Sequence, residues 1–274
     1  AVDLRVNTLR GATRDEALRR LRAAGFAAVP TAASPLGVRI EPPVAVGALL
    51  EDFDGDVEPM DEGAQLVTAL VGARPGESAA LWGAGAAGGK ALALAAAMEN
   101  KGKLLVVDGD ETRLAALGLR LRAAGVDNAQ CHAAAGGGTA PDPWLKRKKR
   151  SVDRVLVDAP CSGGGLRRRD DGRRCATPPL EELLEAQAAA LERAARLVRP
   201  GGTLVYATSS VNDEENDGQV ARFLASEPGA DFALAPPEGF DVKLDGAYLR
   251  PEPGAERDGY FAAVLRRKEG GWSR

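Results

Sequence analysis

The feature that most restricts the fold of this chain is a regular alternation of short apolar strands with helices over residues 78–226. Strands and helices in this order predict a doubly wound, mainly parallel α/β sheet, whose ligands lie outside the carboxyl ends of the strands. The predicted strands cover residues 78–81, 103–107, 129–133, 152–157 and 203–207. The predicted helices cover residues 90–98, 110–124, 181–198 and 213–226.

The chain ahead of this pattern is organised differently. Its first forty residues contain a strand at residues 4–6, one helix and two further short strands, which predicts a small α+β unit. Two prolines and many acidic residues follow, as is typical of a connector. The predicted organisation is therefore an α+β unit over residues 1–45, an acidic connector over residues 46–62 and the α/β domain over residues 63–274.

Two helix starts carry a capping-box pattern, in which a small polar residue is followed three positions later by Glu. Thr13 and Glu16 precede the apolar stripe of the first helix, which Gly25 ends. Asn212 and Glu215 have the same spacing at the start of the last predicted helix. We therefore expect Asn212 to cap that helix.

The charges are distributed unevenly. The net charge of −3 argues against a protein that coats nucleic acid over its whole surface. Residues 146–150 (KRKKR) and 167–174 (RRRDDGRR) are nevertheless basic, whereas residues 51–62 are acidic. A local basic patch can bind phosphate groups even on an acidic protein, although a run such as 146–150 also suits a solvated surface.

The cysteines and the apolar runs limit the class of protein. Cys131, Cys161 and Cys175 lack the paired spacing of a zinc site or a disulfide framework, so we expect no metal and reduced thiols. Reduced thiols indicate an intracellular protein, of the cytoplasm or of an organelle such as the mitochondrion. No apolar run reaches the roughly 20 residues that span a bilayer, so we expect no membrane partner.

Two predicted strands end in residues typical of a site. The run VLVDAPCSGGG, residues 155–165, places Asp158, Pro160 and Cys161 directly after a buried strand. Asp108 ends the second strand of the alternating pattern, where a nucleotide-binding sheet places its acceptor for ribose hydroxyls. The two motifs are expected at the same edge of the sheet.

Several runs together resemble the Sun/RsmB family of S-adenosylmethionine-dependent RNA cytosine-C5 methyltransferases. They are DAPCSGGGLRRRDDGRR, LVRPGGTLVYATSS with a following EEN, MDEGAQL, AGGKALALAAAMENKG and DGYFAAVLRR, in the family's order. The resemblance implies a Rossmann-like methyltransferase fold with a small N-terminal RNA-recognition-like unit. It also implies S-adenosylmethionine as the cofactor if the chain is active, and ribosomal RNA or a ribosomal particle as the partner; a protein partner remains open.

The family's chemistry implies a role for Cys161 in the VLVDAPCSGGG run. A thiolate adds to C6 of a flipped-out cytosine, which makes C5 nucleophilic enough to take the methyl group. By resemblance, Cys161 assists product release, Asp158 holds the base edge, and the attacking cysteine belongs at Ser209. Lys90 completes the implied catalytic set.

The resemblance also implies binding residues. The implied cofactor-binding residues are Gly88, Gly89, Lys90, Asp108, Asp158 and Pro160. The implied RNA-binding residues are Arg167, Arg168, Arg169, Arg173 and Arg174, since guanidinium groups suit phosphate oxygens, with residues 146–150 as a weaker second patch.

The sequence departs from the family pattern at three places. Ser209 replaces the attacking cysteine, and a serine hydroxyl needs an adjacent general base to act. The aspartate that ends the family's first strand is replaced by Leu81 or Trp82. The acid that follows the third strand is missing after Ala133, and the single histidine, His132, fits a structural role.

These departures leave two main interpretations. In the favoured one, the chain is a degenerate methyltransferase that binds ribosomal RNA as an assembly or structural factor. In the alternative, it still methylates, either with Cys161 as the nucleophile or because Ser209 is an engineered replacement for cysteine. A small-molecule methyltransferase is a third class, which would need neither the arginine run nor the N-terminal unit.

Overall fold

The computed structural model describes residues 1–42, 53, 55–83, 85, 88–134, 142–166, 178–236, 244–254 and 257–270. The N-terminal unit is a four-stranded antiparallel sheet in the order β2-β3-β1-β4, with a helix between β1 and β2. Its elements are β1 (Val2–Val6), a 3-10 turn (Thr8–Arg10), α1 (Arg14–Ala23), β2 (Ala28–Pro30), β3 (Gly37–Ile40) and β4 (Val57–Pro59).

The larger sheet has the order β10-β12-β9-β8-β5-β6-β7, and β11 pairs with β12 beside this path. Its strands are β5 (Ser78–Trp82), β6 (Lys103–Asp108), β7 (Ala129–Ala133), β8 (Val152–Asp158), β9 (Val198–Thr208), β10 (Phe232–Leu234), β11 (Tyr248–Leu249) and β12 (Phe261–Arg267). Strands β5 to β9 are parallel, which confirms the predicted sheet. Strands β10, β11 and β12 pair antiparallel.

Helices cover both faces of the larger sheet. They are α2 (Glu62–Ala69), α3 (Gly89–Ala97), α4 (Glu111–Ala123), α5 (Pro143–Arg147), α6 (Leu180–Ala195) and α7 (Asp217–Leu224), with a 3-10 turn at Pro228–Asp231. Side chains alternate across the pleat of β5, so Leu81 joins the core under α2, α3 and α4, whereas Trp82 joins the core under α6 and α7. No helix in the described ranges is long and apolar enough to cross a membrane.

The acidic stretch predicted as a connector contributes a strand. Residues 57–59 form β4, which pairs antiparallel with β1 and completes the N-terminal sheet. Val57 is buried in the core of that unit, and Glu58 forms an ion pair with Arg5, its partner across the strands. The acidic composition did not reveal this strand, because the carboxylate of Glu58 is buried in an ion pair with Arg5.

The predicted cap of the last helix is wrong. Helix α7 begins at Asp217 rather than at residue 213, with Asn216 in the cap position, and residues 213–216 form turns. Asn212 and Glu215 therefore lie ahead of the helix. By contrast, Thr13 caps α1 as predicted, since its side chain accepts a hydrogen bond from the backbone N–H of Glu16 at 3.3 Å.

The two units contact each other through buried polar groups. Glu62, at the start of α2, is fully buried, and its carboxylate accepts hydrogen bonds from the backbone N–H groups of Ala33 and Ser34 at 2.6 and 3.0 Å. On the other side, the amide of Asn7 donates to the carbonyl of Ala124 at 3.0 Å. The N-terminal unit is thus fixed against α2 and the end of α4.

Candidate functional site

A cavity of about 560 Å³ opens at the carboxyl ends of the central parallel strands. Trp82 ends β5 and Asp108 ends β6, whereas Asp158 ends β8 and Ser209 follows β9 directly. Within the sheet, β5 lies between β6 and β8. The chain therefore continues from β5 to β6 in one direction, whereas the later strand β8 is added on the opposite edge of β5. Ligands of open α/β sheets bind at such a reversal of strand order.

Asp158 and Lys90 form an ion pair in the wall of this cavity. The Lys90 ammonium lies 2.8 Å from Oδ2 of Asp158, and the two side chains are 14% and 20% exposed. The same ammonium lies 5.6 Å from the centre of the Tyr260 ring. The structure therefore brings together two residues that the sequence interpretation placed in the catalytic set.

Asp108 forms a second ion pair on the far side of the cavity. Its carboxylate accepts hydrogen bonds from Nη1 of Arg113 at 3.0 and 3.1 Å and from the backbone N–H of Asp110 at 2.9 Å. The Asp108 side chain is only 6% exposed, so these contacts fix its orientation. Asp108 ends β6, as the sequence analysis expected, and its role as a ribose acceptor stays a prediction.

Glycines let the backbone approach the cavity between β5 and α3. Gly83 has φ +88° and lies against the carbonyl of Asp158, where a Cβ would overlap that oxygen. Gly88 has φ +68° and is the residue before α3, whose first turn has no side-chain cap. The N-terminal N–H groups of α3 are therefore directed at this end of the cavity. Gly89, Lys90 and Pro160 also line it, as the sequence interpretation expected of cofactor-binding residues.

Cys161 and Ser209 are direct neighbours. The sulfur of Cys161 lies 3.3 Å from Oγ of Ser209, and the backbone N–H of Ser209 donates to the same sulfur at 3.3 Å. This contact follows from the parallel pairing of β8 with β9, which sets Asp158 opposite Ala207. The predicted proximity of the two residues is confirmed.

The surroundings of Cys161 disfavour its thiolate. Burial raises the pKa of Cys161 above its ordinary value, and the negative charge of Glu215 acts in the same direction, against hydrogen bonds from Ser209 that lower it. Among the described residues, the hydrogen-bond partner of the Ser209 hydroxyl is this sulfur, and no His, Asp or Glu side chain contacts that hydroxyl. Within the described ranges, neither group has a hydrogen bond to a base that would activate it.

We expect Cys161 to react slowly with iodoacetamide at pH 7.5, because only the thiolate is alkylated and burial raises the pKa of this thiol. The rate should still be rising above pH 9. The measurement is alkylation followed by mass spectrometry in a chain with Cys131→Ser and Cys175→Ser, with free cysteine as the control. A rate at pH 7.5 equal to that of free cysteine would contradict the raised pKa of Cys161.

Glu215 ties the loop that carries Cys161 to the loop that carries Ser209. Its fully buried carboxylate accepts from the backbone N–H of Ser162 at 2.8 Å, from the hydroxyls of Ser162 and Ser210, from Gln187 at 3.0 Å and from Asn212 at 3.0 Å. The sequence pattern had assigned Glu215 to a helix cap. Ser210 and Asn212 lie within five residues of Glu215, but Ser162 and Gln187 come from distant parts of the chain, so local spacing could not reveal those two partners.

Sequence reasoning missed two cations of the cavity, Arg113 and Arg193. The Arg193 guanidinium lies 5.7 Å from the centre of the Trp82 ring. The available signal was a stripe of small residues at helical spacing on α6, where Ala186, Ala189 and Ala190 line the cavity together with Arg193.

The remaining sequence predictions have mixed outcomes. The five arginines of the predicted RNA surface, in residues 167–174, lie outside the described residues. His132 does not line the cavity; its Nε2 lies 2.7 Å from Oδ2 of Asp142, and its ring stacks on Trp144 with centres 4.1 Å apart. Both contacts fit the structural role that was expected. In the described part of the chain, no group of three or more His, Cys, Asp or Glu side chains could hold a metal ion.

S-adenosylmethionine, the cofactor that the resemblance implies, fits only one end of this cavity. Asp108 and the start of α3 suit a ribose and its neighbouring groups. The methionine end of that cofactor carries a sulfonium and an ammonium group, and the family places an aspartate there. This chain has the Trp82 ring with the Arg193 guanidinium beside it. The residues present do not fit a cationic group at that end.

Comparisons with known proteins agree with this fold. The family described as 16S rRNA methyltransferase RsmB/F matches residues 73–266, and the ferredoxin-like domain of RsmF/B-like methyltransferases matches residues 1–47. The solved structure of a methyltransferase homologue from Pyrococcus horikoshii has a TM-score of 0.77 and 26% identity, and the match covers 97% of this chain and 86% of that one. NSun6 from the same organism, solved with SFG, has a TM-score of 0.81 over 98% of this chain and 91% of that one; at 18% identity it supports the fold alone.

Two curated proteins are also similar to this chain over nearly its whole length. The ribosomal RNA small subunit methyltransferase B of Sodalis glossinidius is 36% identical over 267 residues, which is 96% of this chain and 58% of that protein. The protein of the same name from Salmonella arizonae is 35% identical over 97% of this chain and 59% of its own length. The chain thus spans about three fifths of the length of these relatives. Since the methyltransferase match covers residues 73–266 of 274, the chain belongs to the RsmB/F family of 16S rRNA methyltransferases.

Proposed function

We propose that this chain binds ribosomal RNA through the RsmB/F fold but does not methylate cytosine, and that it serves as a ribosome-associated assembly or structural factor. One observation carries the proposal: the hydroxyl of Ser209 stands at the attacking position, and its partner is the Cys161 thiol, whose pKa burial raises. The relatives are named as methyltransferases of small-subunit ribosomal RNA, which supports ribosomal RNA as the ligand.

The chemistry of C5 methylation explains why this pair does not suffice. The reaction needs a nucleophile that adds to C6 before the methyl group can be accepted. A thiol with an ordinary pKa of about 8.5 supplies some thiolate at neutral pH, whereas a serine hydroxyl requires a base to take its proton. Burial raises the pKa of the Cys161 thiol, which disfavours the thiolate that would have to serve as that base.

The catalytic half of the proposal is tested by methyl transfer from tritiated S-adenosylmethionine to small-subunit ribosomal RNA. We expect no incorporation above background for the chain, and none for Ser209→Cys alone, because the Trp82 and Arg193 end of the cavity is unchanged in that variant. The methyltransferase B of Sodalis glossinidius is the positive control. Incorporation that Cys161→Ala abolishes would overturn the proposal and make Cys161 the nucleophile.

The RNA-binding half is tested by filter binding across a range of salt concentrations. Exposed Lys146, Arg147 and Lys149 form no ion pair within the described residues, so their charges are available to phosphate groups. Replacing Arg167, Arg168 and Arg169 by alanine should weaken binding to every RNA tested and reduce the salt slope by about 2 to 3; replacing Lys146, Arg147 and Lys149 should have a smaller effect in the same direction.

A triple variant elsewhere controls for net charge. Arg19, Lys101 and Arg222 are exposed and already paired with Glu16, Glu99 and Glu185, so their replacement by alanine should leave RNA binding close to that of the parent chain. Equal losses in the arginine and control triples would show that binding depends on net charge alone. Unchanged affinity of the arginine triple at low salt would refute the predicted surface.

A further inference from the structure

Among the described residues that line it, the cavity at the carboxyl ends of the strands has one more positive than negative side chain. Two of its cations are matched by acids, since Lys90 pairs with Asp158 and Arg113 pairs with Asp108. Arg193 is the third cation that lines the cavity, and within the described residues it forms no ion pair. Its guanidinium lies over the face of the Trp82 ring, and this contact keeps the positive charge beside the cavity.

The positive charge of these lining side chains does not suit the family's cofactor. S-adenosylmethionine brings a sulfonium and an ammonium group against a single carboxylate, so it enters as a net cation. Arg193, which has no ion-pair partner in the part of the chain that the structure describes, repels such a ligand, and no acid at the end of β5 offsets the repulsion, because Trp82 stands there. The same guanidinium attracts a ligand that carries phosphate groups.

We propose that this cavity binds an anionic nucleotide of the nucleoside diphosphate class. The ribose lies against Asp108, and the phosphate groups lie between Arg193 and the start of α3. The inference concerns the cavity of the protein by itself, so it holds whether or not the proposed RNA binding is correct.

The three described glycines between β5 and α3 support a phosphate-bearing ligand. Gly83, Gly85 and Gly88 follow β5 with the spacing that dinucleotide-binding loops use, and each has positive φ. Asp108 lies about twenty residues after Gly88, which is where such sheets place the ribose acceptor. Helix α3 has nine residues, and no side chain caps its first turn. A cavity of about 560 Å³ is also within the usual size range for such ligands.

The test is isothermal titration of the purified full chain with ADP, S-adenosylmethionine and inorganic pyrophosphate. We expect ADP to bind at least tenfold more tightly than S-adenosylmethionine, and more tightly than pyrophosphate, which lacks the ribose and the base. Arg193→Gln should weaken ADP binding about tenfold, because one charge-assisted contact to phosphate is lost. Arg196→Gln removes an exposed guanidinium one turn further along, outside the cavity, and should change nothing.

A second variant reverses the charge of the cavity. Trp82→Asp combined with Arg193→Gln restores an acid and removes the free cation, so S-adenosylmethionine should then bind more tightly than ADP. If thermal melting shows that this double variant is unfolded, Arg193→Gln alone still decides.

Tighter binding of S-adenosylmethionine than of ADP to the parent chain would overturn the inference. So would absence of ADP binding at 1 mM ligand, an affinity unchanged by Arg193→Gln, or equal affinities for pyrophosphate and ADP. RNA binding, measured separately, reports on the proposed function and not on this inference.

Discussion

Replacing Glu215 by alanine is expected to lower the free energy of unfolding by about 3 to 5 kcal/mol, because several buried donors lose their shared acceptor at about 1 to 3 kcal/mol each. The carboxylate is fully buried, and its loss leaves donors on Ser162, Ser210 and Gln187 without their acceptor. The loss in melting temperature should be about 10 °C for a chain of this size. Calorimetry and urea denaturation measure both quantities.

Glu214→Ala is the matched control, because Glu214 is the exposed neighbour of Glu215. Glu215→Gln tests the charge itself. Burial alone would raise the pKa of Glu215, but the hydrogen bonds from Ser162 and Ser210 outweigh it and lower the pKa below 4.5. A lowered pKa stabilises the folded state at pH values above the group's ordinary pKa. This stabilisation is lost as the pH falls through the pKa of the folded state. The deficit of Glu215→Gln should thus be constant near neutral pH and shrink below about pH 4.5; a deficit that grows with acid would contradict it.

Gly165→Ala is expected to cost about 3 kcal/mol, at the upper end of the range for overpacking, because the added methyl group meets backbone on two sides. Gly165 donates its N–H to the carbonyl of Ser209 at 2.9 Å and accepts from the N–H of Gly259 at 2.8 Å. An added Cβ would overlap the Gly259 carbonyl and lie 2.9 Å from the Ser209 carbonyl oxygen. Both hydrogen bonds should weaken, and the contact between Cys161 and Ser209 should open.

Two measurements check this effect. Urea denaturation gives the stability loss, and the iodoacetamide reaction of Cys161 should become faster in Gly165→Ala, since the thiol gains access to solvent. Gly254→Ala is the control, because a Cβ at that position meets no atom within 4 Å. A Gly165→Ala chain with the parent's stability and the parent's alkylation rate would show that the two loops are not held as described.

Much of the fold could be predicted from the local spacing of residues in the sequence. The alternation of strands and helices was sufficient to predict five parallel strands and the meeting of Cys161 with Ser209, because parallel strands bring their carboxyl ends to one edge. The capping box of α1 was also readable, since Thr13 and Glu16 interact within one turn. Composition was a poorer guide: the acidic residues 51–62 suggested a connector, although residues 57–59 form β4.

The sequence by itself determined the periodicity of the elements, the family pattern and the replacement of the attacking cysteine by Ser209, because each of these is written in adjacent residues. Only the tertiary structure decided what surrounds them. Glu215 became the acceptor for donors up to 53 residues away, and Arg193 came to lie over Trp82 from a helix more than a hundred residues later in the chain. Such contacts depend on how the strands and helices pack in space, and no local spacing in the sequence records that packing.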